Sequence, residues 1–333
     1  MRALITGGAG FIGSHLADRL LADGHSVAVL DDLSTGSMEN IESIKAHPAF
    51  SYHVDSILNK PVLAELVDMA DVVFHLAAAV GVRRIVEYPV RTIETNIMGS
   101  ELVLQVAAKK RKRVLVTSTS EEYGKSTKIP FAETDDMVMG STYNSRWSYA
   151  CSKAVEEFLG LAYFRERKLP VTILRLFNTA GPRQTGHYGM VLPTFVHQAL
   201  EGKPVTVFGT GEQSRCFCHI EDVIEGIVTC MATERTAGEI FNLGSTEEIS
   251  MRALAEKVIA QTGSDSRIHY VPYAEAYAEG FEDMERRVPD IRKAREWFGY
   301  APKHSLDDII QDVIAHARQQ KQQRAAPELQ ARS

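Results

Sequence analysis

The sequence predicts an α/β protein: a doubly wound parallel sheet with a smaller α/β lobe on its C-terminal side. Three observations lead there. Short apolar runs without polar alternation recur through the first half of the chain, as in strands buried on both faces. Stretches with helical spacing separate those runs. A glycine-dense turn, Gly7-Gly8-Ala9-Gly10-Phe11-Ile12-Gly13, joins the first run to the first helical stretch.

Taken in order, Ala3-Leu4-Ile5 reads as the first strand and Ile12 to Ala22 as an amphipathic helix. Ser26-Val27-Ala28-Val29-Leu30 and Asp71-Val72-Val73-Phe74-His75-Leu76 read as further strands. Val90 to Ala108 has helical apolar spacing, and Arg113-Val114-Leu115-Val116-Thr117-Ser118 returns to strand. Tyr149 to Glu166 is helical, then Pro170 to Leu176 is strand again. These elements place a dinucleotide-binding domain of Rossmann type over residues 1–178. After Asn178 the rhythm breaks into loops rich in Gly, Pro and Thr. Short strands follow at Val205-Thr206-Val207-Phe208 and Glu239-Ile240-Phe241-Asn242-Leu243, with a helix at Met251 to Gln261. Residues 179–317 are expected to form mainly a substrate-binding lobe over the sheet, part of it rejoining the sheet. From Arg318 the chain turns polar, and residues 318–333 are expected to fray as a disordered tail.

Composition narrows the function. The chain has 333 residues, 44% apolar and 24% charged, with a formal net charge of −6. That balance offers no general attraction to nucleic acid or an anionic membrane. No apolar run is long enough to span a bilayer, and the start runs straight into a strand, unlike a signal peptide. Four cysteines make no disulfide framework. Cys216 and Cys218 stand closer together than paired zinc ligands, so reduced thiols, no metal and a cytoplasmic location are expected. His187 and His219 have no partners at metal spacing. His75, in a buried-looking strand, reads as a core histidine. Trp147 is open between lining a pocket and packing.

The glycine turn has a steric logic. Gly7 permits the tight turn, Gly10 lets the backbone approach a pyrophosphate, and Gly13 lets helix pack against strand. Asp31-Asp32 ends the second strand, where a carboxylate accepts from ribose hydroxyls and would repel a 2′-phosphate; NAD is expected over NADP. Asp55 is a candidate contact to the adenine. Further on, Tyr149 and Lys153 are four apart, so one helix face presents both. An ammonium and a positive nicotinamide together favour phenolate over phenol, giving a base for a sugar hydroxyl. Thr119, at a strand end, would hold the same hydroxyl.

With these elements in place, the chain resembles the extended short-chain dehydrogenases that modify nucleotide sugars, from Met1 to about Ile314. The matching segments are the glycine turn, Asp31-Asp32-Leu33-Ser34-Thr35-Gly36, His75-Leu76-Ala77-Ala78, Asn96, Thr119, Tyr149, Lys153, Phe177 to Arg183, and Arg287-Val288-Pro289-Asp290. The resemblance implies NAD contacts from Gly7, Gly10, Phe11, Ile12, Gly13, Asp31, Asp32, Ser34, Thr35, Gly36, Asp55, Ser56, Leu76, Ala77, Ala78 and Asn96, besides Tyr149 and Lys153. It also implies that Asn178, Arg215 and Arg287 hold the substrate's diphosphate, a task suited to bidentate arginine. A homodimer through the Tyr149 helix and the preceding helix is expected from the same resemblance.

Members oxidise C4 of the sugar and differ in what the 4-keto intermediate does next. Ser118-Thr119-Ser120-Glu121-Glu122-Tyr123-Gly124 resembles the Ser-Thr-Ser-Glu-Val-Tyr-Gly stretch of UDP-glucuronate decarboxylases. Arg146-Trp147-Ser148-Tyr149, Gln213-Ser214-Arg215-Cys216-Phe217 and Gly280 to Arg287 resemble segments of the same enzymes. The resemblance implies catalytic roles for Glu121, which would orient or disfavour the substrate carboxylate, and for Arg215, which would assist reprotonation at C5. Ala79-Val80-Gly81-Val82-Arg83 instead resembles UDP-glucuronate 4-epimerases, so a UDP-glucuronate or UDP-glucose 4-epimerase stands as the alternative, and Glu122 replaces the usual valine. A 4,6-dehydratase is disfavoured because Ser120 stands where that group has its acid. A non-catalytic NAD-binding protein is disfavoured because Thr119, Tyr149 and Lys153 are all present.

Overall fold

The computed structural model describes residues 1–81, 85, 87–186, 190–276, 282 and 284–330. Strand β1 (Arg2–Thr6) runs into the glycine turn, and helix α1 (Phe11–Ala22) starts at once. There follow β2 (Ser26–Asp31), β3 (Phe50–Val54), α2 (Lys60–Met69), β4 (Val72–His75), α3 (Pro89–Lys109) and β5 (Arg113–Thr119). Helix α4 (Trp147–Arg167) and β6 (Val171–Leu176) complete the first half. Pro89 opens α3, where the missing N–H breaks no helical bond. Lys168 ends α4 in the left-handed conformation.

The large sheet has the order β11-β6-β5-β4-β1-β2-β3, with β11 (Ile240–Leu243) as its seventh strand. All of its pairings are parallel. Both faces are therefore covered, which is why the strands read as unbroken apolar runs. On one face Leu16 and Leu20 meet Val223 and Ile227; on the other Leu63 and Leu66 meet Val103 and Leu104. Each such side chain, once buried, contributes roughly 2 kcal/mol.

The second half is interleaved rather than separate. Strands β7 (Thr179–Ala180), β8 (Val205–Phe208), β9 (Ser214–Cys216) and β10 (Cys218–His219) follow helix α5 (Val191–Leu200) or flank it. Helix α6 (Ile220–Ala232) returns to pack on α1, and β11 pairs with β6. The chain then leaves again through β12 (Glu248–Ser250), α7 (Met251–Thr262), β13 (Ile268–Val271), the short α8 (Tyr273–Ala276) and β14 (Arg286–Arg287). It comes back through α9 (Arg292–Phe298), beside β11, and ends in α10 (Leu306–Gln330). The small lobe has its own core, with Phe195, Leu254, Ile309 and Val313 packed together.

The tail departs from the sequence expectation. Helix α10 continues to Gln330 where a fraying segment was expected from Arg318. The cause is local: Gln, Lys, Arg and Ala, read as merely polar or small, are good helix formers and extend a helix already anchored by Ile309, Ile310 and Val313. Residues 331–333 lie outside the described residues.

Candidate active site

At β1 the strand order changes direction, with β2 on one side and β4 on the other. The carboxyl ends of β1 and β4 consequently leave a crevice, where open α/β sheets bind ligands. A cleft of about 1000 Å³ opens there and runs on to the small lobe.

Its floor is the glycine turn. Gly7 has φ of 73°, a conformation glycine adopts at little cost. A Cβ at Gly13 would sit 2.3 Å from the Gly7 carbonyl oxygen, so a side chain would force helix and turn apart. Gly10, Phe11 and Ile12 line the same floor. No side chain caps the first turn of α1, and its N–H groups and positive dipole end suit a diphosphate. Asp31, buried at the end of β2, accepts the N–H of Ala9 at 2.9 Å and of Leu33 at 2.8 Å. Burial pushes its carboxyl up, and those two bonds oppose the shift. Asp32, Ser34, Thr35 and Ser56 line the cleft on that side, with Leu76, Ala77 and Ala78 at the end of β4.

Three further expected contacts, Gly36, Asp55 and Asn96, have structural partners of their own beside the cleft. Gly36 packs on Ala9, whose carbonyl carbon a Cβ would meet at 2.9 Å. Asp55 accepts from the Ser56 N–H and from Asn59 Nδ2, both at 2.7 Å, and so shapes the entry to α2. Asn96 is fully buried; it accepts the Ala79 N–H at 2.7 Å and donates to Ser152 Oγ at 3.0 Å. It thus ties the cleft wall and α4 to α3. The glycine cradle and the acid beyond it fit a dinucleotide.

Tyr149 and Lys153 lie one helical turn apart on α4, and both line the cleft. Thr119, the last residue of β5, hydrogen-bonds the phenol. Burial pushes the phenol up, the Glu121 and Glu156 carboxylates push it further, and Thr119 opposes them. Lys153 is buried and donates to Glu156 Oε2 at 2.8 Å.

Beyond Tyr149 sits a cluster of charge. Glu121 lies in the 3-10 turn Ser120–Tyr123 and accepts from Nη1 of Arg146 and, at 3.3 Å, from Nη1 of Arg287. Burial alone would raise its carboxyl; the two guanidinium groups outweigh burial and hold it down at about 2. Arg287 lies beside Arg215 in the β9–β14 pairing, and both arginines line the cleft with Asn178. The next residue behaves oppositely. Glu122 is fully buried, and burial with Glu157 beside it raises its carboxyl, against Arg175 and Ser118. Arg175 meanwhile grips Glu157 through Nε at 2.9 Å and Nη2 at 2.7 Å.

Other sequence candidates fall outside the cleft. Trp147 is a packing residue: its ring is buried with Tyr123 and Phe177, and its Nε1 donates to Glu282 Oε2 at 2.8 Å. His75 is buried between the hydroxyls of Thr6 and Ser100. His219 stacks on His304 at 4.2 Å and meets Asp312 at 3.1 Å. With Glu221 these two rings bring three possible ligand atoms within 4.8 Å, though the His219 nitrogens are already hydrogen-bonded. His187, Val82, Arg83, Gly280, Phe281 and Asp283 lie outside the described residues. Three residues of the site had gone unassigned. Arg146 and Glu156 sit at helical spacing from Tyr149 and Lys153, a signal that was present. Arg91, 3.7 Å from Asp32, is too distant in sequence to be paired by spacing.

Comparison with known proteins agrees with this geometry. The family model for GDP-mannose 4,6 dehydratase matches residues 4–313. A UDP-N-acetyl-alpha-D-glucosaminuronate decarboxylase of Bacillus cytotoxicus is 42% identical over 320 residues, 96% of this chain and 98% of that protein. UDP-glucuronic acid decarboxylase 2 of Arabidopsis thaliana is 36% identical over 321 residues, 96% of this chain and 68% of that protein. Among solved structures, UDP-glucuronic acid 4-epimerase from Bacillus cereus, in complex with UDP-glucuronic acid and NAD, superposes with a TM-score of 0.86 at 29% identity. That match covers 96% of this chain and 99% of the other. The glycine cradle, the Tyr149–Lys153 pair and the match over nearly the whole chain agree: it belongs to the GDP-mannose 4,6 dehydratase family, within the NAD-dependent epimerase/dehydratase group of nucleotide-sugar enzymes.

Proposed function

We propose that this enzyme decarboxylates a UDP-linked uronic acid, glucuronate or its 2-acetamido relative, through NAD-dependent oxidation at C4. The observation that carries the reading is the ionised Glu121, clamped by Arg146 and Arg287 beyond Tyr149. Held ionised by the two arginines, Glu121 puts a negative charge in the cleft beside the sugar's own carboxylate. The relatives at 42% and 36% identity, both named as uronic acid decarboxylases, support it.

NAD, when bound, supplies the acceptor for the C4 hydride; Asp31 and Asp32 favour it over a 2′-phosphorylated cofactor. Thr119 and Tyr149 hold the C4 hydroxyl, and the Tyr149 phenolate takes its proton. The resulting ketone turns the C6 carboxylate into a β-keto acid, which loses carbon dioxide. With its carboxyl at about 2, Glu121 carries no proton to give at neutral pH. It orients the arginines and disfavours the nearby substrate carboxylate, which carbon dioxide loss relieves. Arg215 assists reprotonation at C5, and Asn178, Arg215 and Arg287 hold the diphosphate.

A homodimer belongs to the same reading. Val90, Ile93 and Met98 on α3 and Val155 and Phe158 on α4 are exposed apolar residues on adjacent helices. No helix among the described residues is long and apolar enough to cross a membrane. The thiols of Cys216, Cys218 and Cys230, pushed up to about 12 by burial, suit a reducing cytoplasm.

A 4-epimerase is the second reading, favoured by Ala79, Val80 and Gly81 lining the cleft in a segment that resembles those enzymes. Incubation with NAD and each UDP-uronic acid, followed by mass spectrometry, separates the two. Loss of carbon dioxide is expected from one or both substrates. Unchanged mass with a new sugar signal would move the chain to the epimerases.

A further inference from the structure

Behind Tyr149 the cleft wall hides a second buried acid. Glu156 follows Lys153 by three residues and Tyr149 by seven, so α4 carries all three on one face. Lys153 Nζ donates to Glu156 Oε2 at 2.8 Å, with the two side chains only 3% and 1% exposed. Beside the pair, Ser100 Oγ meets His75 Nε2 at 2.8 Å, and His75 Nδ1 meets Thr6 Oγ1 at 2.7 Å. Burial raises the Glu156 carboxyl, and Lys153 and a hydrogen bond from Ser100 oppose that shift, so a string of buried polar groups runs from the helix of Tyr149 through α3 to β4 and β1.

The electrostatics of this arrangement run against the simplest account of a Tyr-Lys pair. An ammonium beside a phenol favours the phenolate, but a carboxylate in contact with that ammonium offsets its charge, strongly so where water is excluded. The other charged neighbours are accounted for. From the turn after β5, Glu121 is held by Arg146 and Arg287, and Glu122 sits against Glu157 and Arg175. From β4, His75 is held down at about 3 by burial and then by Lys153, so it is neutral over any working pH. Thr119 is the hydrogen-bonding group from β5.

We propose that Glu156 is a positioning residue of the Tyr149–Lys153 couple, offsetting the Lys153 charge so that Tyr149 becomes a base only when a positively charged nicotinamide enters the cleft. The proposal rests on the reading of Tyr149 as the base. It ties the strength of that base to the oxidation state of the cofactor. As the C4 hydride leaves for the nicotinamide, the C4 hydroxyl proton passes to Tyr149. The positive charge then vanishes from the ring, and the phenol keeps that proton.

The test is a titration of the Tyr149 phenol, read as the ultraviolet difference between each protein and its Tyr149→Phe counterpart, with and without saturating NAD. In the unsubstituted enzyme NAD lowers the midpoint. Glu156→Gln, which keeps the shape and an oxygen for Lys153, is expected to lower the NAD-free midpoint by about one unit, a tenfold gain in phenolate at fixed pH. It should also narrow the effect of NAD. Identical midpoints in the two proteins would overturn the proposal. Should the Gln variant fail to fold, Glu156→Asp, whose carboxylate is withdrawn by one methylene, is expected to shift the midpoint the same way by less; no shift again overturns it. Turnover of a UDP-uronic acid by Tyr149→Phe would defeat the reading of Tyr149 itself, whatever the titrations show.

Discussion

Two adjacent glutamates show how completely the surroundings decide what a residue can do. Glu121 and Glu122 share a turn, yet Arg146 and Arg287 hold the carboxyl of the first down while burial raises that of the second. The ionised one has a consequence for stability. Its folded-state value, about 2, lies below the ordinary 4.5. The stability it provides is therefore fully present above pH 4.5 and is lost as pH falls toward 2, on the order of 3 kcal/mol in all. Glu121→Gln is expected to lose that stabilisation at neutral pH, because the two buried guanidinium groups then lose the negative charge between them. Its unfolding free energy should also change less between pH 4.5 and 2 than that of the unsubstituted protein. Denaturant titrations across that range check both statements; equal pH dependence would show that the clamp contributes nothing.

At the scale of elements, what was legible followed repeating chemistry. The β-α alternation, the glycine turn and the Tyr149–Lys153 spacing are local patterns, and the structure carries each where the sequence put it. Long-range pairings were hidden. Nothing around Arg175 announces that it crosses from β6 to grip Glu157 on α4, or that Arg287 on β14 reaches Glu121 after β5. Asn96 could be recognised by resemblance, but its bond to Ala79 depends on a chain reversal that spacing does not encode. The Arg175–Glu157 pair fastens β6 to the helix bearing Tyr149, with both side chains about 5% exposed or less. Glu157→Ala strands a buried guanidinium and is expected to cost about 3–5 kcal/mol in urea unfolding. A loss under 1 kcal/mol would mean that Glu122 takes over as its partner.

Across the whole molecule the two lobes are woven together. The chain leaves the large sheet after β6, returns for α6 and β11, leaves again, and returns for α9. Arg215 on β9 and Arg287 on β14 are thereby held against a cleft whose floor belongs to β1 and α1. On the outer side, α3 and α4 expose Met98 at 51% and Phe158 at 65%. A second copy covering that face would buttress the helix bearing Tyr149. Met98→Glu with Phe158→Glu is expected to give a monomer in sedimentation, with a lower melting temperature and unchanged NAD contacts. An unsubstituted protein that is itself monomeric at micromolar concentration would remove the dimer from the account.

In the proposed reaction the clamped Glu121 and the Tyr149–Lys153 pair serve decarboxylation of a 4-keto uronic acid. The most direct measurement is turnover of UDP-glucuronate and its 2-acetamido relative in deuterium oxide with NAD, followed by proton NMR. A UDP-pentose product, or its 4-keto form, carrying one deuterium at C5 is expected, with release of carbon dioxide. A product that keeps its carboxylate and its C5 proton, with C4 inverted, would contradict it.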